Sequence, residues 1–86
     1  MKPIIYSQHA IDQMINREVP QEEVEIAIRE GEPVSAKKGR IAFRKNFSFE
    51  SEHKGKYYDI KQVMPIVVEE EDYLVVITVY VFYFGG

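Results

Sequence analysis

His9, Gln13, Asn16 and Arg17 are four hydrogen-bonding residues spread over two turns of what reads as a helix. His9 falls in the first turn of that helix, directly after Ser7, a good N-cap. A neutral imidazole is a competent general base near pH 7. The same helix end offers free N–H groups to a phosphate. A histidine packed at a helix–sheet junction, bonding a backbone carbonyl, is the alternative for His9. Gln13, Asn16 and Arg17 extend its face into a surface able to read polar ligands, which is also the composition of a solvated face. Further along, Arg40 and Arg44 project from one face of a strand, where their guanidinium groups can grip adjacent phosphates. Lys45 adds a further cation beside Arg44. Thr78 interrupts an otherwise apolar strand, and a hydroxyl buried there must find a partner. Tyr80 shares its face.

Other chemistries lack their residues. The chain has no cysteine, which removes disulfides, thiolate-bound metals and a thiol nucleophile. Its two histidines stand 44 residues apart among scattered acids and specify no metal site. His53 lies in Glu-Ser-Glu-His-Lys-Gly, a loop composition. Glu69 to Asp72 lacks calcium-loop spacing. Phosphate loop, dinucleotide fingerprint and nucleophile elbow are missing, so no cofactor is expected.

The 86 residues suit one domain spanning 1–86. The opening MKPIIYSQHA has no apolar stretch after Lys2, so no signal peptide is expected. The longest apolar run, Tyr73 to Phe84, is 12 residues, short of the ~20 that a membrane helix needs. A cytoplasmic protein without membrane contact is the expectation. The formal net charge is −3, which excludes a globally basic nucleic-acid binder. Charge is nonetheless segregated: all but three of the 11 basic residues fall between Lys37 and Lys61. Drawn together, they would form a patch for a polyanion or an acidic partner. Kept apart, they are ordinary solvated lysines and arginines.

The elements that must position these groups follow from pattern. Residues 2–6 read as a short strand. A helix from Gln8 to Arg17 places Ala10, Ile11, Met14 and Ile15 in one sector at ~100° per residue. Pro20 opens a second helix, buried through Val24, Ala27 and Ile28, with Gly31 and Pro33 as its stop. The short connection makes a helical hairpin. Pro33 to Ala36 then reads as a strand, followed by a turn at Lys38-Gly39. Arg40 to Phe47 alternates as a strand, and Asn46 to Gly55 reads as a polar loop. Lys56 to Val68 is a long strand whose Pro65 implies an edge, a bulge or a bend. Tyr73 to Phe84 is apolar on both faces, as in a central strand or one covered by another subunit. The sum is an α+β fold, a helical hairpin on a curved antiparallel sheet of about four strands.

The run Ser7-x-His9-Ala10-x-x-Gln13-Met14-x-x-Arg17-x-Val19-x-x-Glu22-Glu23-Val24, with Gly31-Glu32 and a late Ile77-Thr78-Val79-Tyr80, resembles a bacterial family catalogued as domain of unknown function 4258. Gln13 stands where that family usually has a basic residue. The resemblance implies a RelE-like fold, akin to the RelE- and barnase-like ribonuclease toxins. It further implies metal-independent RNA cleavage through the ribose 2′-hydroxyl. His9 would then be base or acid, Arg17 an anchor, and Thr78 a sheet-side hydrogen-bonding partner. Arg44 would join the catalytic set, with Gln13, Arg40, Lys45 and Tyr80 binding substrate. An antitoxin-like protein would be the expected partner. Two readings stand beside this one. The first is an interaction module, such as a homodimer formed through the C-terminal strand. The second is RNA or DNA binding without cleavage, which would weaken steeply with salt.

Overall fold

The computed structural model describes residues 2–86. Ser7 starts the first helix as its hydroxyl predicts: its backbone is extended and its Oγ accepts from the Ala10 N–H at 3.1 Å. This helix, α1, spans Gln8–Asn16 and ends at Arg17. The second, α2, spans Gln21–Glu30, with Glu22 and Glu23 in its first turn at the positive end of the helix dipole. Five strands surround them in sequence: β1 (Ile4–Tyr6), β2 (Glu32–Ser35), β3 (Ile41–His53), β4 (Lys56–Glu69) and β5 (Leu74–Phe84). One 3₁₀ turn at Lys37–Gly39 joins β2 to β3.

The sheet order is β1-β5-β4-β3-β2. β2 to β5 form an antiparallel meander, and β1 joins β5 in parallel. The sheet therefore has five strands and is mixed, not purely antiparallel with about four. The added pairing is short: β1 covers only Leu74, Val75 and Val76 of β5. Beyond Val76 the other side of β5 has no strand partner among the described residues. The apolar segment is thus interior at its start and an edge along its remainder.

The Asn46 to Gly55 stretch is strand and hairpin rather than loop. Lys54 and Gly55 both have positive φ, 53° and 82°, the conformation of a two-residue type I′ turn. The polar composition misleads here because one side of this arm faces solvent while Phe47 and Phe49 stay half-buried on the other. β3 carries one extra residue between Ser48 and Ser51, with Glu50 at φ 43°, which bends the arm. Pro65 lies in an interior strand. It is accommodated where the β3–β4 ladder skips Met64 and Pro65 between the Val63 and Ile66 pairs.

Both helices pack on one face of the sheet, α1 over β5 and α2 over β3 and β4. The core joins Ala10, Met14, Val19, Val24, Ala27 and Ile28 to Val63, Val67, Val76 and Val79. Ile11 and Ile15 depart from the expected stripe, being 38% and 70% exposed. α1 leans toward the free edge of β5, so its contact line runs through Ala10, Met14 and the flanking Gln13 and Arg17 instead.

Alternation sends the even-numbered residues late in β5 to the opposite face. There Thr78 lies beside Ile66, Tyr80 beside Met64, and Phe82 beside Gln62. On the next strand Ala42 lies beside Ile66 and Asn46 beside Gln62, which places Arg44 on the same face. A shift in register at Ile77 allows both Val76 and Val79 to face the helices.

Candidate functional site

Three bonds seat α1 against the unpaired side of β5. At its start the Ser7 N–H donates to the Val76 carbonyl at 3.0 Å, and Ser7 Oγ donates to the Ile77 carbonyl at 3.2 Å. At its end Arg17 Nη1 donates to the Val79 carbonyl at 2.6 Å, with its guanidinium carbon 5.3 Å from the centre of the Tyr80 ring. Arg17 thus supplies a donor where a neighbouring strand would have, and it also makes a cation–π contact. Between these anchors runs the row of His9, Gln13 and Arg17, four residues apart on the helix. His9 is exposed, and Gln13 and Arg17 are half-buried. Thr78, half-buried, and Tyr80, exposed, belong to the β5 segment between and beside the anchored carbonyls, but their side chains lie on the open face, opposite the helices.

The remaining candidates are not drawn together. Arg44 shares the open face with Thr78 and Tyr80 but lies two strands from β5. Its guanidinium is ion-paired with Glu32, its partner across β2 and β3. Lys45, half-buried, points to the helix-covered face through its pairing with Val63. Arg40 is exposed ahead of β3.

The basic segment does not form one patch. Lys37, Lys38 and Arg40 lie before β3, and Lys54 in the turn and Lys56 just after it lie beyond it. Thirteen residues of strand separate the two groups, up to roughly 40 Å if straight. Lys61 is internal, only 6% exposed, and engaged with Glu23 and Glu18. Linear clustering of charge was therefore undone by a long extended strand.

Two further features involve β5. One is the aromatic row of Tyr80, Phe82 and Phe84 on the open face, 41%, 44% and 41% exposed. The rings of Tyr80 and Phe82 stack at 6.5 Å between centroids. The other is the packing of His53 on Tyr83, at 4.0 Å with 16° between the ring planes. The signal for the second was Lys54-Gly55, a two-residue turn between alternating runs, which makes a hairpin of that loop.

A family model matches residues 6–81, which include both anchors and the whole α1 row. The chain belongs to the DUF4258 family, a domain of unknown function. Comparison with curated proteins gave no match, and comparison with solved structures gave none. In this DUF4258 domain the Ser7, His9 and Arg17 positions thus lie along the α1–β5 seam. Among the described residues no helix is long and apolar enough to cross a membrane. No group of three or more His, Asp or Glu residues is arranged to hold a metal ion among them either.

Proposed function

We propose that the protein acts on single-stranded RNA at the seam between α1 and β5, as a RelE-like endoribonuclease. The supporting observation is the pair of anchors, Ser7 to Ile77 and Arg17 to Val79. They hold the His9–Gln13–Arg17 row beside the strand segment bearing Thr78 and Tyr80. In this reading His9 takes the proton of a ribose 2′-hydroxyl as its oxygen attacks the adjacent phosphorus. The bond from phosphorus to the 5′-oxygen breaks, and the leaving oxygen receives a proton. The products are a 2′,3′-cyclic phosphate and a 5′-hydroxyl. Arg17 and Gln13 bind the phosphate, and a chain that wraps the free edge of β5 would meet Thr78 as a donor and Tyr80 as a stacking surface on the open face. Arg44 reaches the substrate only after an incoming phosphate displaces Glu32. Arg40 and Lys45 act as outlying cations. An antitoxin-like protein covering this seam would block it.

The test is cleavage of a mixed-sequence RNA with chelator present, by the wild type and by His9→Ala. Cleavage by the wild type alone, leaving cyclic phosphate ends, is the expected outcome. Equal cleavage by both forms would remove His9 from the chemistry, and no cleavage by either across several pH values would overturn the reading.

The open aromatic row favours a second reading, an interaction module that pairs with another copy along β5. This strand carries no charged residue from Leu74 to Phe84 to discourage edge pairing. Sedimentation equilibrium decides it: a mass near twice 10.1 kDa without nucleic acid supports the dimer, and a mass of 10.1 kDa rejects it.

A further inference from the structure

A polar recess of about 200 Å³ lies beside the seam, lined by Asn16, Arg17, His53, Lys54, Val81 and Tyr83. Its floor is the unpaired part of β5. One wall is the C-terminal end of α1, and the other is the tip of the β3–β4 hairpin. That tip arrives there because the extra residue between Ser48 and Ser51 bends the arm. Three rings then fix the arm on Tyr83. Phe49 meets it edge-on at 5.1 Å, Tyr58 is tilted at 5.6 Å, and His53 is stacked at 4.0 Å.

The charge of the recess runs against that of the protein. Arg17 and Lys54 bring two cations from two separate elements, and no carboxylate lines the space. Arg17 gives one hydrogen bond to Val79, so most of its five N–H donors remain available. Among the described residues, Lys54 makes no side-chain hydrogen bond or ion pair. His53 and Asn16 add hydrogen-bonding groups, and Tyr83 adds a hydroxyl. The acids that bear on Tyr83 are Glu18 and Glu23, and Glu23 is occupied by Lys61.

We propose that this recess binds a phosphate group between Arg17 and Lys54, with His53 and Tyr83 as hydrogen-bonding walls. Size and composition suit a phosphate with its attached sugar better than a flat apolar ligand. The site does not depend on His9 or on cleavage. Its phosphate could come from a small molecule or from an RNA chain.

Proton–nitrogen NMR of the full chain tests this, at constant ionic strength, with inorganic phosphate, a mononucleotide and a six-residue oligouridylate as probes. Sodium chloride is the control. Saturable shifts of the His53 imidazole and of the Lys54 and Tyr83 amides are expected with phosphate. Lys54→Asn keeps a residue that tolerates the left-handed turn and removes the charge, and it should weaken binding at least tenfold. His9→Ala should leave binding unchanged, which separates this site from the proposed cleavage seam. Tenfold tighter binding of the oligouridylate identifies an RNA phosphate, whereas equal binding of mononucleotide and phosphate identifies a small-molecule site. Shifts that chloride reproduces, or that centre on His9 while His53 stays still, would overturn the proposal.

Discussion

Lys61 Nζ lies 2.9 Å from Glu23 Oε1, inside the layer between sheet and helices. The angle falls outside hydrogen-bond geometry, so the contact is an ion pair, while the same ammonium donates to the Glu18 carbonyl at 3.1 Å. One buried cation on β4 thereby holds both the interhelical turn and the first turn of α2. Removing it leaves a carboxylate facing a mostly closed space. Glu23 keeps some solvent access, its side chain being 27% exposed, so the cost falls below that of a fully buried pair. Lys61→Ala should lower unfolding stability by about 2–3 kcal/mol in urea denaturation. The double variant Lys61→Met with Glu23→Leu should recover most of that loss. A loss in the double variant as large as in the single one would show that packing, not charge, sets the cost.

Arg17 holds the free edge of β5 through the Val79 carbonyl, so it has a structural role separable from any part in catalysis. Arg17→Ala should cost about 1.5–3 kcal/mol, the range for a hydrogen bond from a charged group. Amide exchange should quicken along the β5 edge more than in β3. Arg17→Lys should restore part of the stability but not the contact over Tyr80, because an ammonium lacks the planar guanidinium. Unchanged exchange at the edge in Arg17→Ala would refute the anchoring role.

The helices were legible because their signals are local. Ser7 caps, Pro20 opens, and Ala10, Met14, Val24, Ala27 and Ile28 supply the buried contacts. Ile11 and Ile15 misled, since periodicity gives the apolar sector but not how far the helix rolls toward a sheet edge. β1 was legible as a strand and illegible as a parallel partner of β5, a pairing that spans about seventy residues of sequence. The α1 row could be read from spacing alone. Its companions on the sheet could not, because alternation says that Arg44 and Lys45 diverge but not which of them the helices cover. The recess at His53 needed both the turn at Lys54-Gly55 and the bend at Glu50, and only the turn has a clear residue signature.

Alkaline pH should loosen the junction of β1 with α2. The Tyr6 hydroxyl donates to Glu25 Oε2 at 3.4 Å. Burial, then the negative charge of Glu25, then that hydrogen bond push its pKa from 10.0 up to about 12, against an opposing effect of Arg29. In the unfolded chain this phenol ionises near pH 10. Between roughly pH 10 and 12 the folded state therefore holds more protons than the unfolded state, and stability falls as pH rises. Burial raises the Tyr83 phenol as well, with Glu18 and Glu23 adding to it, so its contribution has the same sign. Tyr6→Phe should flatten the decline measured by urea midpoints at pH 9, 10 and 11. Parallel declines in the two proteins would remove Tyr6 as a cause.

Gly31 ends α2 with φ −75°, so left-handed freedom is not what the position requires. What it requires is space. A Cβ there would run into the Ala27 carbonyl oxygen and lie 2.7 Å from the Arg44 carbonyl oxygen, both of them backbone atoms that cannot swing aside. The Gly31 N–H also donates to the Ala27 carbonyl at 2.8 Å, which fixes the close approach of helix end to β3. Gly31→Ala must therefore separate α2 from β3 or unwind the last turn. A loss of about 1–3 kcal/mol is expected, the range for overpacking. Because Glu32 follows directly and pairs with Arg44, the same shift should release that guanidinium. The variant should then show a lower urea midpoint together with faster exchange of the β2 amides. A midpoint within error of the wild type would mean that β3 yields more easily than the sheet register implies.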